Sequence, residues 1–287
     1  MIRSLEYMVD ISTMRLANKM MAENEKKKYF NLKPCIGFDL DGTLLDNGEW
    51  KSGFISLINQ LEGYNVFFAT GRSILECERL LLNVRKDILV ICDEGQYIFD
   101  NEKGYTENIF LPFGEDEYGF FAENGIEVAV ETKDYIYTES NVIEKLLKLY
   151  CGVPKSVVLR RNPREYSQVY KIFYYEKKEG FIQFIQKKYN ITEIFKRFGY
   201  LTDCNVNKYK AFKKLLRSRN LRIEDSIYFG DGLNDVEIMK KVKTGIAVYN
   251  AVPKLKDVST IVMSSDEEFI HILSSLKAFG KPVLFKM

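Results

Sequence analysis

The chain has 287 residues and carries 42 Lys or Arg against 40 Asp or Glu, a formal charge of +2. That balance offers no global field to a polyanion, so nucleic acid is not an expected partner, and a hydrophobic fraction of 46% with 14% aromatics excludes global disorder. At this length the chain is two domains or one core with a large insertion, and its apolar runs fall far below the roughly 20 residues a membrane helix requires.

Residues 1–30 place Met8, Ile11, Met14, Leu16 and Met20 at loosely helical spacing before the charged run 23–28, which reads as an amphipathic extension. Glu6 and Asp10 interrupt the apolar stretch a signal peptide needs, so a cytoplasmic protein is expected, as a monomer or homodimer without membrane contact. From Pro34 short apolar strands over 35–38, 66–69 and 88–92 alternate with helical stretches over 54–61 and 74–84. That alternation points to a parallel sheet covered on both faces. Residues 97–99 begin a different element. The middle of the chain changes texture, with strands expected over 126–130, 135–137, 156–159 and 166–175 and helices over 142–150 and 180–189. The βα rhythm returns after Cys204 with a helix over 208–216, strands over 226–229, 245–248 and 260–263, and a last helix over 266–276.

The expected fold is therefore α/β, a Rossmann-like parallel sheet core with an inserted α+β cap. The boundaries are an extension over 1–30, a core over 31–95 and 200–287, and a cap over 96–199.

Five scattered cysteines never form a C-x-x-C pair, which indicates reduced thiols, with no zinc site and no disulfide framework. His271 is the sole histidine, so carboxylates, hydroxyls and lysines are left to do the chemistry. In Asp39-Leu-Asp-Gly-Thr43 two carboxylates sit two residues apart at a strand end, on one side of an extended segment. A second acidic turn, Gly230-Asp-Gly-Leu-Asn-Asp235, also follows a strand, and ligand sites in open parallel sheets lie at the carboxyl ends of the strands. Converging carboxylates repel one another, and Mg²⁺, which prefers oxygen and works beside phosphate, is the natural remedy. Thr70 with Gly71 after the second strand, and Lys208 at a helix start, supply a hydroxyl, a free N–H and an ammonium suited to phosphate oxygens. Any one of these features is common; their combination in this order is what makes the signal specific.

With these residues in hand, the sequence resembles the haloacid-dehalogenase-like superfamily of phosphohydrolases, in its Cof-type branch. The matching stretches are 38–46, Ala69-Thr-Gly-Arg72, Asn207-Lys208 and 229–235, and the likeness spans about 34–278. The resemblance implies that Asp39 attacks phosphorus to form an aspartyl phosphate, while Asp41 protonates the leaving alcohol and then activates water. It implies that Thr70, Gly71, Lys208 and Gly42 line the phosphoryl site. Mg²⁺ would sit on Asp39, the Asp41 carbonyl and Asp231, with Asn234 and Asp235 completing the site. The substrate implied is a small phosphorylated metabolite, expected to be a sugar phosphate. A non-catalytic phosphometabolite-binding protein and a phosphosugar mutase are the other readings of the same scaffold.

The motif intervals locate the insertion. Asp39 to Thr70 is 31 positions and Lys208 to Asp231 is 23, each room for one helix and strand, whereas Thr70 to Lys208 is 138. Within the insertion, Arg160, Arg161, Arg164 and Lys171 beside Tyr170, Tyr174 and Tyr175 form a basic, aromatic set that could meet a sugar or a second anionic group. Glu94-Gly-Gln96 and Tyr209 stand where relatives carry Asn-Gly-Ala and Gly, departures that bear on substrate fit and cap movement.

Overall fold

Apolar runs that stop at an acid or a glycine become the strands of the core. In chain order the first are β1 (Cys35–Phe38), β2 (Asn65–Ala69) and β3 (Leu89–Cys92), then β4 (Tyr97–Asp100) and β5 (Tyr105–Asn108). The insertion supplies β6 (Ile126–Glu131), β7 (Ile136–Thr138), β8 (Val158–Arg160), β9 (Lys171–Glu176), β10 (Tyr189–Phe195) and β11 (Phe198–Asp203). The core resumes with β12 (Ile227–Gly230), β13 (Thr244–Ala247) and β14 (Ile261–Val262). Helices between them are α1 (Phe54–Asn59), α2 (Ile74–Leu81), α3 (Glu115–Glu123), α4 (Asn141–Tyr150), α5 (Lys208–Ser218), α6 (Val236–Met239), α7 (Pro253–Lys256) and α8 (Asp266–Phe279). The computed structural model describes residues 33–100, 105–151, 153, 157–178, 180 and 182–279, so the extension expected over 1–30 lies outside the described residues.

The core sheet runs β14-β13-β12-β1-β2-β3-β4-β5, parallel as far as β3 and antiparallel beyond it. β1 is buried along its whole length and sits between β12 and β2, so the loop after it opens at the middle of the sheet. One face is filled by Phe38, Phe229 and Phe269, whose rings stack at 4.9 Å from Phe38 to Phe229 and again from Phe229 to Phe269. On the other face Phe67 stacks on Phe212 of α5 at 4.2 Å. Burying each such ring stabilises by about 1.5–3 kcal/mol. Gly37 makes room for this layer, because a Cβ there would lie 1.8 Å from Phe67 Cζ.

The second sheet runs β8-β7-β6-β9-β11-β10 and is antiparallel except for the β7–β8 pair. This is the α+β cap, and its limits differ from those read in the sequence. Gly95, at φ 112, turns the chain back so that β4 pairs antiparallel with β3, and β4 and β5 extend the core sheet. At the far end β11 keeps the chain in the cap sheet to Asp203, past the boundary expected at 199.

Two cap elements also depart from expectation. The stretch 180–189, expected to be helical, holds one 3₁₀ turn at Ile182–Ile185, and at Tyr189 the chain enters β10, where Ile191 and aromatic residues pair against β11. Residues 115–123, for which no element is expected, form α3, whose first turn carries Glu115, Asp116 and Glu117, acids that favour a helix N-terminus.

Candidate active site

Local backbone chemistry sets the loop after β1. The Asp39 N–H donates to Phe229 O at 2.8 Å, so the ladder to β12 continues one residue past the strand. The Leu40 carbonyl then accepts from the N–H groups of Thr43, Leu44 and Leu45, which curls the chain through Gly42 at φ 73. A Cβ on Gly42 would lie 2.2 Å from Asp231 Oδ2, so the loops after β1 and β12 meet at that glycine. Leu40 is buried, while Asp39 and Asp41 both line a cleft of about 390 Å³ between core and cap.

Lys208 is the first residue of α5, whose start is fixed by the Asn207 side chain accepting from the Lys210 N–H at 2.8 Å. Its ammonium, buried behind Asp39, lies 2.5 Å from Asp39 Oδ1 and 3.1 Å from Asp235 Oδ1. Burial opposes the charge on Lys208, but Asp235 and Asp39 outweigh it and hold its pKa well above the usual lysine range. Burial likewise pushes Asp39 well above the carboxylate range, with Lys208 pulling back and Asp235 and Asp231 adding to the rise. Asp231 is raised by the same two causes, burial and then Asp235.

Asp235 has no lone pairs to spare. Its Oδ1 accepts from Lys208 and, at 2.8 Å, from the Tyr228 hydroxyl; its Oδ2 accepts from the Asp231 and Gly232 N–H groups at 3.2 and 3.0 Å. Four donors fill the roughly four acceptor positions of a carboxylate, so Asp235 anchors the loop and Lys208. Asp39 and Asp231 keep acceptor capacity. Oxygens of Asp39, Asp231 and Asp235 lie within 4.8 Å of one another, two of the three residues being buried. This all-oxygen set fits a hard divalent cation, with Asp39 and Asp231, the two carboxylates that burial and neighbouring acids push toward protonation, free to bind it.

The remaining sequence-derived positions divide. Thr70 follows β2, is buried, and turns its Oγ1 to accept from the Arg72 N–H at 3.1 Å; Thr70 and Gly71 line the same cleft as Asp39. The Asp41 carboxylate is held at the rim by Arg72, whose Nε and Nη2 donate to its two oxygens at 2.7 and 2.6 Å. The Asn234 amide turns to Glu94, donating to its oxygens at 3.1 and 3.2 Å. The Asp41 carboxylate therefore stands apart from the cluster of Asp39, Asp231 and Asp235, while the Asn234 amide nitrogen is turned to Glu94.

Residues 36–270 match the haloacid dehalogenase-like hydrolase family. The chain belongs to that family. It is 24% identical over 247 residues to YkrA of Bacillus subtilis, a protein named as a phosphatase, with 81% of this chain and 93% of that one covered. It is 25% identical over 232 residues to the HMP-PP phosphatase of Yersinia pseudotuberculosis, covering 76% of this chain and 85% of that one. Among solved structures, TM0651 from Thermotoga maritima superposes with a TM-score of 0.75 at 22% identity, covering 85% of this chain and 97% of the other.

In this haloacid dehalogenase-like hydrolase, sequence reasoning missed what Arg72 does within the core and how Lys171 joins core to cap. Arg72 adjoins the Thr-Gly pair, and a guanidinium two residues beyond a site hydroxyl was the available signal. Lys171, grouped in the sequence with surface arginines, is buried: its ammonium donates to Gly71 O at 3.0 Å and lies 2.8 Å from Asp93 Oδ1 and 3.9 Å from Glu131 Oε2. On β9 it shares a face with the buried Phe173, while Ile172 on the opposite face is buried too, so Lys171 lies in a strand covered on both sides. Arg160 and Arg164 lie exposed and pair with Glu144 and Glu115, and they are not among the residues lining the cleft. Tyr170 packs on Tyr97 and Phe110 instead.

Proposed function

We propose that this hydrolase is a Mg²⁺-dependent phosphomonoesterase that cleaves a small phosphorylated metabolite, a sugar phosphate, through an aspartyl phosphate on Asp39. That the enzyme hydrolyses phosphoric monoesters follows from its family and from relatives named phosphatases. Mg²⁺, metabolite and intermediate are inferred from the chemistry of the cleft. The observation that carries them is the meeting of Asp39, Lys208, Asp231 and Thr70 at one end of the sheet.

In the proposed reaction an Asp39 oxygen attacks phosphorus as the bond to the leaving oxygen breaks, and Asp41 gives that oxygen its proton. Asp41, now a carboxylate, takes a proton from the water that attacks the aspartyl phosphate, which frees inorganic phosphate and regenerates both residues. Arg72 holds Asp41 at the rim, and that pair opens for each proton transfer. Lys208 and the Thr70 hydroxyl offset charge on the phosphoryl oxygens. Bound at Asp39 and Asp231, Mg²⁺ would supply the positive charge that lets a phosphate dianion approach this acidic cleft. We further place the enzyme in the cytoplasm, as a monomer or homodimer acting without nucleic acid; no helix among the described residues is long and apolar enough to cross a membrane.

The test is phosphate release from p-nitrophenyl phosphate and a panel of phosphorylated metabolites, with Asp39→Asn as the blank. Turnover that needs Mg²⁺, stops on chelation and vanishes in Asp39→Asn is expected. Equal signals from wild type and Asp39→Asn overturn the reading, and an isomerised product without free phosphate makes the enzyme a mutase.

A further inference from the structure

The wall of the cleft carries five carboxylates, Asp39, Asp41, Glu76, Glu94 and Asp231, against two cations, Arg72 and Lys171. Both cations are committed. Arg72 grips Asp41 with two hydrogen bonds and lies 3.8 Å from Glu76; Lys171 is paired with Asp93 and bonded to Gly71 O. Lys208, behind the wall, is taken by Asp39 and Asp235. Once one phosphoryl group occupies the site, no cation lining the cleft among the described residues remains for a second anionic group.

Glu76 and Glu94 are the acids on that wall which belong neither to the carboxylate cluster nor to the proton relay, and Glu76 is taken up by the Ser73 N–H at 2.9 Å and by Arg72, which leaves Glu94. Glu94 stands in the left-handed region at φ 56, against the phosphoryl loop, since a Cβ on Gly71 would lie 2.5 Å from its Oε1. Oε1 accepts from the Tyr200 hydroxyl at 3.2 Å and from Asn234; Oε2 accepts from Asn234 alone. A carboxylate offers about four acceptor positions, so Oε2 has room for one donor from a ligand. Beside it, Tyr200 and Phe173 present aromatic surface to the same cleft. An acceptor next to aromatic surface suits a polyhydroxylated group, and a fixed negative charge repels a second phosphate or a carboxylate.

We propose that Glu94 sets leaving-group specificity: it admits phosphate esters whose leaving group offers hydroxyl or ammonium donors and rejects those bearing a further anionic group. The proposal takes the reacting phosphate from the phosphatase reading above and adds the chemistry of the group that departs. It also replaces the second-anion alternative in the sequence expectation that the basic, aromatic residues of the cap meet a sugar or a second anionic group.

The experiment compares glucose 6-phosphate and glucosamine 6-phosphate with fructose 1,6-bisphosphate and 3-phosphoglycerate in wild type, Glu94→Gln and Glu94→Asn, the last being at ease at positive φ. Wild type should favour the first pair in kcat/KM. Both variants should narrow that preference by about tenfold, with KM rising for the first pair and falling for the second. Substrate classes that move together in the variants overturn the proposal, because a structural defect would lower both. In parallel, calorimetric binding of the same four esters to Asp39→Asn, with and without Glu94→Gln, needs no turnover. A binding preference lost with Glu94→Gln supports the role even if the phosphatase reading fails, and equal affinities overturn it whatever the turnover.

Discussion

Two lysines of this molecule lie buried between two carboxylates, yet their surroundings differ. Lys208 pairs with Asp39 and Asp235, and a third acid, Asp231, completes a set whose front borders the open cleft. Lys171 pairs with Asp93 and Glu131, all at most 2% exposed, beneath the rings of Tyr200 and Phe173 at 4.7 and 5.6 Å from its ammonium. The first set holds one acid more than the second, and the cleft reaches its acids at Asp39 and Asp231, so there is both reason and room for a cation and a phosphate. The second set meets the cleft at Lys171 alone, its two acids lying buried off the lining, and it joins a core turn, Asp93, to a cap sheet, Lys171 and Glu131. Matching residue composition thus supports chemistry in one place and attachment in the other, and what separates them is access and the surplus acid.

That contrast can be broken by substitution. Lys208→Met removes the charge facing Asp39, and turnover should fall by about 10²–10³-fold in a phosphate-release assay. Lys171→Met should instead act on the fold: stranding two buried carboxylates costs about 3–5 kcal/mol, read as a lowered denaturant midpoint. If Lys171→Met cuts turnover of the folded protein as deeply as Lys208→Met does, the distinction between the two sets is lost.

A smaller effect is the pH dependence of stability. Burial pushes Glu131 up to about 8 and Asp93 up to about 6, in both cases with Lys171 holding the rise back. Folded-state values above the unfolded ones mean that the folded protein binds protons more tightly. The contribution is therefore full below the unfolded carboxylate range near 4.5 and is lost as pH rises toward 8 for Glu131. Glu131→Gln should flatten the decline of unfolding free energy between pH 6 and 8, by at most about 1.4 kcal/mol per pH unit. An unchanged slope in that variant would show that Glu131 does not titrate in this range.

The core was legible because its strands are apolar runs that end in chemically marked loops. Asp39, Thr70 and Asp231 each follow a strand directly, and parallel-sheet geometry brings such loops to one edge. Lys208, at a helix start, follows an asparagine cap. The cap was harder to read. Its helix over Glu115–Glu123 is rich in acids and aromatics with only Phe121 fully buried, so its apolar period is weak. The stretch after Gly180 has helical composition, yet pairing with β11 decides its second half. Arg72, Glu94 and Lys171 gain their meaning only from contacts across 31, 140 and 100 positions of chain, which local spacing cannot reveal.

The meeting of the β1 and β12 loops at Gly42 has a consequence for synthesis. Thr43 bonds to Asp231 across 188 positions at 3.3 Å, and Lys208 reaches back 169 to Asp39. A ribosome must therefore release the whole insertion and the stretch up to Asp231 before the first acidic loop acquires its partners. Contacts of such high sequence separation slow folding, and a nascent chain cut anywhere before Asp235 would hold Asp39 without the lysine's anchor. The acidic site is thus assembled late and as a unit, after the segment through Asp235 has joined the sheet.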